Sequence, residues 1–161
     1  MRAASVILFA AALLAGLNAG FFFAWSFSVM NGLDTASPAA AIEAMKAMNA
    51  NVRNAPFAVV FFGAPAVAAA AAIVSMLAGQ RRRALLSLLG LMGLAATFVI
   101  TANLHVPWNE ALAVAPIPQD PAQASGVWYE YSAPWTMWNH IRLLTSLTGT
   151  AFLTAAFRLK R

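Results

Sequence analysis

Residues 81–110 read RRRALLSLLGLMGLAATFVITANLHVPWNE. Three arginines are followed by a run from Ala84 to Asn109 that contains no acidic or basic residue other than a histidine. A hydrocarbon core about 30 Å thick requires about 20 apolar residues in a helix, so this run can cross a bilayer once. Its polar residues collect at the end away from the arginines. The stretch therefore predicts a membrane-spanning helix with one basic end and one polar, uncharged end.

Three further stretches have the same character. No charge interrupts Ala3 to Leu33, and none lies between Arg53 and Arg81. The fourth stretch, Ala133 to Phe157, is apolar except near its beginning. The first is longer than the apolar part of a signal peptide, about 7–15 residues, which favours a span over a cleaved leader. We predict one all-α integral membrane domain, residues 1–161, folded as a four-transmembrane-helix bundle with spans at about 4–29, 55–79, 84–104 and 134–157.

The charges predict the orientation of this bundle. All five acidic residues fall on one side of the four-span arrangement, and seven of the ten basic residues fall on the other. Those seven are Arg2, Arg81, Arg82, Arg83, Arg158, Lys160 and Arg161. Cytoplasmic loops of membrane proteins carry the excess of lysine and arginine. We therefore expect a multi-pass protein of the cell's inner (cytoplasmic) membrane with both termini in the cytoplasm.

Composition excludes several classes of function. Only 9% of the residues are charged, whereas soluble domains have about a quarter. The net charge of +5 follows from topology, and no clustered basic face on a soluble module points to nucleic acid. The chain contains no cysteine, which excludes disulfides, thiolate nucleophiles and cysteine-held zinc or iron–sulfur centres.

The two outer loops differ in their patterns. In the first, Ser37 and Pro38 are typical of a helix start, and apolar residues then recur at helical spacing up to Val52. This pattern predicts an amphipathic interfacial helix lying on the membrane. The second loop, from about Leu104 to Ala133, contains four prolines, and we expect it to be mostly irregular.

Polar side chains converge on the outer ends of the spans. A charge within hydrocarbon normally faces the bundle interior and has a partner. Arg142 lies inside the fourth span and shares a helix face with Asn139, three residues earlier. Snorkelling of this arginine to the headgroups is the alternative. The remaining polar and aromatic candidates at this level are Asn49, Arg53, Asn54, Asn103, His105, Trp108, Asn109, Trp138 and His140.

Three segments carry a family resemblance. Residues 49–56 (NANVRNAP), His105 to Asn109 with its Pro-x-Asn, and residues 135–142 (WTMWNHIR) resemble the anthrone oxygenase family of small four-helix membrane proteins. Named members of that family oxidise an anthrone to an anthraquinone with dioxygen and no known organic cofactor. His105 stands where the family pattern leads us to expect asparagine.

The resemblance implies roles for the candidate residues. His140 or His105 would remove a proton from a ring carbon, and Arg142 and Arg53 would stabilise the oxyanion that develops. The side chains that would orient or stack on the substrate are Asn49, Asn54, Asn103, Asn109, Asn139, Trp108 and Trp138. We predict no cofactor. Copper or iron held by His105, His140 and Glu110 is the alternative, although no close histidine spacing supports it.

Two other functions stay open on the sequence alone. The same polar cluster could grip a membrane lipid or a protein partner without catalysis. A small transporter is disfavoured, because the inner halves of the spans carry few polar residues. The partners expected for the oxygenase are membrane lipid and a lipophilic small-molecule substrate, and the Gly16/Gly20 face could support an oligomer.

Overall fold

The computed structural model describes the backbone of residues 2–159 and the side chains of residues 4–159. Within that part of the chain all regular structure is helical. The α-helices are α1 (Arg2–Ala24), α2 (Met30–Asp34), α3 (Pro38–Asn51), α4 (Ala55–Leu77), α5 (Arg81–Ile100), α6 (Val106–Val114) and α7 (Pro121–Arg158). The side chains of Arg2, Lys160 and Arg161, which enter the orientation argument, lie outside the described residues.

Three helical segments are long and apolar enough to cross a membrane. They are Ala4–Asp34, Ala55–Leu77 and Arg81–Val114. Their outward side chains are large and apolar, among them Phe9, Leu13 and Val59, each more than half exposed. A surface of this kind is stable against lipid and unstable against water. The chain is therefore a membrane protein.

The long helix α7 completes the bundle by packing against α1 and α5. It begins at Pro121, where the Asp120 carboxylate accepts a hydrogen bond from the backbone N–H of Gln123 at 3.0 Å. Pro134 lies inside α7 rather than in its first turn. Proline has no backbone N–H, so one hydrogen bond of the helix is not made. The packing of α7 against its neighbours offsets the stability lost in this way.

The close approach of α5 and α7 depends on glycines. A Cβ atom on Gly93 would lie 2.6 Å from the carbonyl oxygen of Thr145, and one on Gly149 would lie 3.0 Å from that of Gly90. By contrast, a Cβ on Gly16 would make an ordinary 3.8 Å contact, and one on Gly20 would meet nothing within 4 Å. The tight helix contact within this chain is therefore made by α5 and α7.

Two π-helical turns interrupt the membrane-crossing segments. One, Trp25–Val29, joins α1 to α2, and the other, Thr101–His105, joins α5 to α6. A π turn adds a residue to the turn and shifts which side chains face the interior, and such turns are frequent at functional sites. Here the first turns Ser26 inward, and the second turns His105 inward.

Helix α3 lies across one end of the bundle, which we call the capped end. Its buried residues, including Ile42 and Met45, pack on α7 and on Met30 of α2. The Lys46 ammonium donates a hydrogen bond to the carbonyl oxygen of Ala115. The apolar residues whose spacing predicted this helix therefore pack against the rest of the protein.

The second loop is more ordered than its prolines suggest. The segment from Leu104 to Ala133 is helical except for residues 115–120. The expectation of an irregular loop was wrong. Pro121 occupies the first turn of α7, where a missing N–H costs nothing, and Pro107 directly follows the π turn inside a continuous helical segment. Pro116 and Pro118 lie in the short non-helical stretch.

Candidate functional site

A cavity of about 510 Å³ lies beneath α3 at the capped end. Its walls come from α1, α3, α4, α6, α7 and both π turns. They are largely apolar, with the aromatic residues Phe21, Trp25, Phe57, Phe61 and Trp135 among them. Ligand pockets for drug-sized molecules have volumes of about 300–1,000 Å³ and combine apolar walls with a few polar groups. The cavity has the size and wall chemistry for a flat aromatic molecule.

Arg142 supplies the charge of this cavity. Its side chain is 5% exposed and lines the cavity. Its guanidinium carbon lies 4.6 Å from the ring centre of Phe22 and 5.2 Å from that of Trp135, so aromatic faces stabilise the cation. No carboxylate of a described residue lies within ion-pair distance of it. A buried cation without a paired anion gives the cavity a positive potential, which favours a ligand with negative charge.

Neutral groups hold the guanidinium in place. Nη2 donates to Asn139 Oδ1 at 2.7 Å and Nη1 donates to Thr101 Oγ1 at 3.2 Å. Asn139, which is fully buried, donates through Nδ2 to the carbonyl oxygen of Phe22 at 3.0 Å and to Ser26 Oγ at 2.8 Å. The arginine is thus fixed between α1, the second π turn and α7 while its charge stays uncompensated.

A second cluster of polar side chains surrounds Asn109. Its Oδ1 accepts hydrogen bonds from the Tyr131 hydroxyl at 2.7 Å and from Trp135 Nε1 at 3.0 Å. The Tyr131 oxygen in turn accepts from Asn49 Nδ2 at 3.2 Å. Tyr131 precedes the span predicted to begin at residue 134, and burial raises its pKa above the ordinary value, so the hydroxyl stays a donor. The network connects α3, α6 and α7 around the cavity.

His105 is buried in the wall of the cavity. It is 1% exposed, and its Nε2 lies 3.2 Å from the carbonyl oxygen of Trp135. A carbonyl only accepts, so Nε2 carries the proton and the neutral ring has an acceptor at Nδ1. Nδ1 has no hydrogen-bond partner among the described residues. The hydrogen bond to Trp135 therefore favours a single tautomer, whose acceptor nitrogen is enclosed and unpartnered among the described residues.

The rim of the cavity is more exposed. Arg53 and Glu110 form an ion pair at 3.5 Å, with side chains 63% and 62% exposed. Asn54 also lines the cavity, but its amide caps α4 by accepting from the Phe57 N–H at 3.0 Å. Arg53 and Asn54 line the cavity, and the side chain of Arg53 is more than half exposed whereas Arg142 is buried.

The remaining sequence candidates lie apart from the cavity wall. Asn103 is exposed and donates to the carbonyl oxygen of Val99 within its own helix. Trp108 packs edge-on against His105, with ring centres 5.6 Å apart, and Trp138 is half-buried outside the cavity lining. The ring centres of His140 and Phe27 lie 5.3 Å apart with the rings tilted, and His140 lines a different, more open cavity. The structure therefore does not bring the two histidines into one cavity.

Comparison with known families identifies the chain. The sequence model of the anthrone oxygenase family matches residues 57–152, more than half of the 161 residues. The chain belongs to the anthrone oxygenase family. No curated protein and no solved structure matches it. The resemblance to the family is thereby confirmed. The motifs at residues 105–109 and 135–142 lie within the matched region, whereas residues 49–56 precede it.

In this anthrone oxygenase family member, the matched region contains most of the polar site. Arg142, Asn139, His105 and Asn109 all lie within residues 57–152, whereas Asn49 and Arg53 precede it. Within the described residues no three histidine, aspartate or glutamate side chains gather as a candidate metal site. The distinctive chemistry of the cavity is a buried cation without an ion-pair partner among the described residues, an unpartnered imidazole nitrogen enclosed in the wall, and oriented amides.

Sequence reasoning missed several residues of this site. Ser26 and Thr101 hold Asn139 and Arg142, and Tyr131 and Trp135 hold Asn109. Trp135 was within a quoted motif, and its indole N–H beside a predicted polar cluster was a usable signal. The two hydroxyls gave none, because their inward positions depend on the π turns.

Proposed function

We propose that this protein is a membrane-embedded oxidoreductase that oxidises a lipophilic aromatic or phenolic substrate with dioxygen in the cavity at the capped end. The observation that carries the proposal is the buried guanidinium of Arg142, which lines an aromatic-walled cavity with no described carboxylate in ion-pair distance. Such a cation stabilises an oxyanion that forms during reaction, and fixed charges act strongly where water is excluded.

The proposed reaction is the conversion of an anthrone methylene to a quinone carbonyl. Removal of one ring-carbon proton gives an enolate, whose charge resides largely on the ring oxygen. Dioxygen then adds at the ring carbon, and the resulting hydroperoxide loses water to leave the carbonyl. One oxygen atom enters the product and the other leaves as water, so the four-electron oxidation of the carbon balances the reduction of dioxygen.

In this proposal the described residues divide the work. His105 removes the proton through Nδ1, which has no partner among the described residues; this nitrogen is enclosed by protein, so contact with the substrate requires the surrounding side chains to shift. Arg142 stabilises the enolate oxygen, and Asn49 and Asn109 orient the substrate. Trp25 and Trp135, which line the cavity, take the stacking role that the sequence assigned to Trp108 and Trp138.

The proposal requires no organic cofactor and no metal. Metal analysis of the purified protein checks this point. Stoichiometric copper or iron, together with loss of turnover on chelation and its return on reconstitution, would replace this mechanism with a metal-dependent one.

We further propose that α7 is a fourth membrane crossing and that α3 lies at the membrane interface. In support, α7 packs between apolar helices and exposes Met137, Leu144 and Leu147 at its surface. The buried polar residues of α7 face the bundle, including Arg142 at 5% exposure. We place the protein in the inner membrane with the arginine run and both termini in the cytoplasm.

Replacement of Arg142 tests the oxygenase. Purified protein in detergent or nanodiscs is supplied with anthrone, and dioxygen consumption and quinone absorbance are recorded. Arg142→Met removes the charge that stabilises the enolate, and we expect turnover to fall at least about 100-fold, the order seen when one oxyanion-stabilising group is removed.

The matched control is Arg83→Met. Arg83 is also a buried arginine, 7% exposed, but it lies at the end of the bundle away from the cavity. There its guanidinium donates to the Gln80 side chain and to the carbonyl oxygen of Leu159. We expect this variant to keep its turnover when it is folded and monodisperse. Equal turnover in folded Arg142→Met and wild type would remove Arg142 from the mechanism. Tight binding of anthrone without turnover by the wild type would favour the non-catalytic alternative.

A further inference from the structure

Trp135 makes two hydrogen bonds with groups that line the cavity. Its indole Nε1 donates to Asn109 Oδ1 at 3.0 Å, and its backbone carbonyl accepts from His105 Nε2 at 3.2 Å. Its side chain is 4% exposed, so neither bond competes with bulk solvent. One residue therefore constrains an amide and an imidazole at the same time.

The orientation of the Asn109 amide follows from its partners. An indole N–H can only donate, so the atom facing it is the amide oxygen and not the amide nitrogen. The Tyr131 hydroxyl, at 2.7 Å, occupies the second acceptor position of the same oxygen. Asn109 lines the cavity, and no described residue accepts a hydrogen bond from its Nδ2. Nδ2 is thus a donor with a fixed direction and no partner within the described protein.

His105 has the opposite character. Its Nε2 proton is committed to the Trp135 carbonyl, which leaves Nδ1 as an acceptor without a partner among the described residues. Arg142 and Asn109 are therefore two donors that line the cavity, one of them cationic, and His105 adds an acceptor nitrogen enclosed in its wall.

We infer that Trp135 is a positioning residue, and that through it Asn109 selects substrates with a second acceptor oxygen. This inference rests on the proposed function. One oxygen meets the guanidinium of Arg142, the acidic hydrogen meets His105 Nδ1, and a further phenol or ketone oxygen accepts from Asn109 Nδ2. Among the proposed substrates, those with one oxygen at Arg142 and a second at Asn109 are therefore preferred over those with a single oxygen.

The sharpest test is Asn109→Asp. The carboxylate is nearly isosteric with the amide and still accepts from Trp135 and Tyr131, but it cannot donate to a substrate oxygen. Anthrone, with one oxygen, and 1,8-dihydroxyanthrone, with additional phenol oxygens, are compared. We expect the wild type to prefer the hydroxylated substrate in kcat/KM, and Asn109→Asp to reduce that preference at least about tenfold, chiefly through KM.

Trp135→Phe tests the positioning role. Phenylalanine removes the indole N–H and leaves the backbone carbonyl that holds His105. We expect selectivity between the two substrates to fall while the pH dependence of kcat keeps its wild-type form. The control Asn31→Asp alters an exposed asparagine of α2, and its selectivity should equal that of the wild type.

Affinity separates this inference from the proposed function. Quenching of tryptophan fluorescence by 1,8-dihydroxyanthrone under nitrogen reports binding without turnover. If the wild type binds but does not oxidise either compound, the oxygenase fails, and a tenfold affinity loss in Asn109→Asp still supports the second-oxygen site. If turnover is present but selectivity and affinity are unchanged in Asn109→Asp, the inference is overturned and the oxygenase stands.

Discussion

A single asparagine decides how the charge of Arg142 is used. Asn139 Oδ1 accepts from the guanidinium at 2.7 Å, and its Nδ2 bonds with the first membrane-crossing segment through Phe22 and Ser26. A carboxylate at this position would hold the arginine equally close, but it would also cancel the charge. The amide positions the cation and leaves it available to a ligand.

Asn139→Asp should therefore impair the reaction. It should also lower stability somewhat, because the Nδ2 donor to the Phe22 carbonyl is replaced by an acceptor oxygen. The new carboxylate pairs with Arg142, so the enolate loses its partner. We expect kcat/KM for anthrone to fall at least about tenfold, because hydrogen bonds to charged groups contribute about 1.5–3 kcal/mol. Steady-state oxygen uptake measures the effect, and thermal unfolding in detergent reports the fold.

Asn31→Asp serves again as the matched control, since it makes the same substitution on an exposed helix surface. Wild-type kcat/KM in a folded Asn139→Asp protein would show that the arginine charge does not contribute to turnover.

At the same scale, the sequence predicted part of the site. The three-residue spacing of Asn139 and Arg142 placed them on one helix face, and the structure joins them. The partners Ser26 and Thr101 could not be predicted, because hydroxyls are common in membrane helices and bond equally well within their own helix. His140 and His105 seemed equivalent for a different reason. Both lie near the outer ends of spans, and a residue's depth in the membrane does not show which side of its helix it occupies.

Helix packing depends on the glycines of α5 and α7. Gly93→Ala would place a methyl group 2.6 Å from the Thr145 carbonyl oxygen, too close without separating the helices. Overpacking of this kind costs about 1–3 kcal/mol, and we expect a corresponding loss in resistance to unfolding by sodium dodecyl sulfate. Gly16→Ala is the control, since its methyl group would make a 3.8 Å contact. Equal unfolding curves for the two variants would contradict the close α5–α7 contact.

The sequence also predicted elements unequally. Charge-free length predicted the three apolar segments, because hydrocarbon demands helices of a set length. The π turns at Trp25–Val29 and Thr101–His105 have no comparable signature, since a single extra residue in a turn changes no composition. The prolines of the second loop led to the wrong expectation of irregular structure, because the effect of a proline depends on its position in a helix.

The topology of the whole molecule is open to a clean test. The natural sequence contains no cysteine, so single cysteines can be introduced without a background. Ser37→Cys and Gln119→Cys lie at the capped end, and Ala78→Cys lies between α4 and α5; all three positions are exposed. With a membrane-impermeant maleimide on spheroplasts, we expect the first two to react and the third to react only after lysis. Labelling of all three, or of Ala78→Cys alone, would overturn the orientation.

The phenyl ring of Phe62 lines the cavity and is 56% exposed on the surface of a membrane-crossing helix. One side of this ring therefore borders the cavity interior while another borders lipid acyl chains. For a membrane-dissolved compound the effective concentration at the protein is the concentration in the bilayer, which partitioning raises above that in water. Apparent Michaelis constants should consequently scale with the amount of lipid in the assay, and sugar-linked derivatives that do not partition would rarely reach the protein.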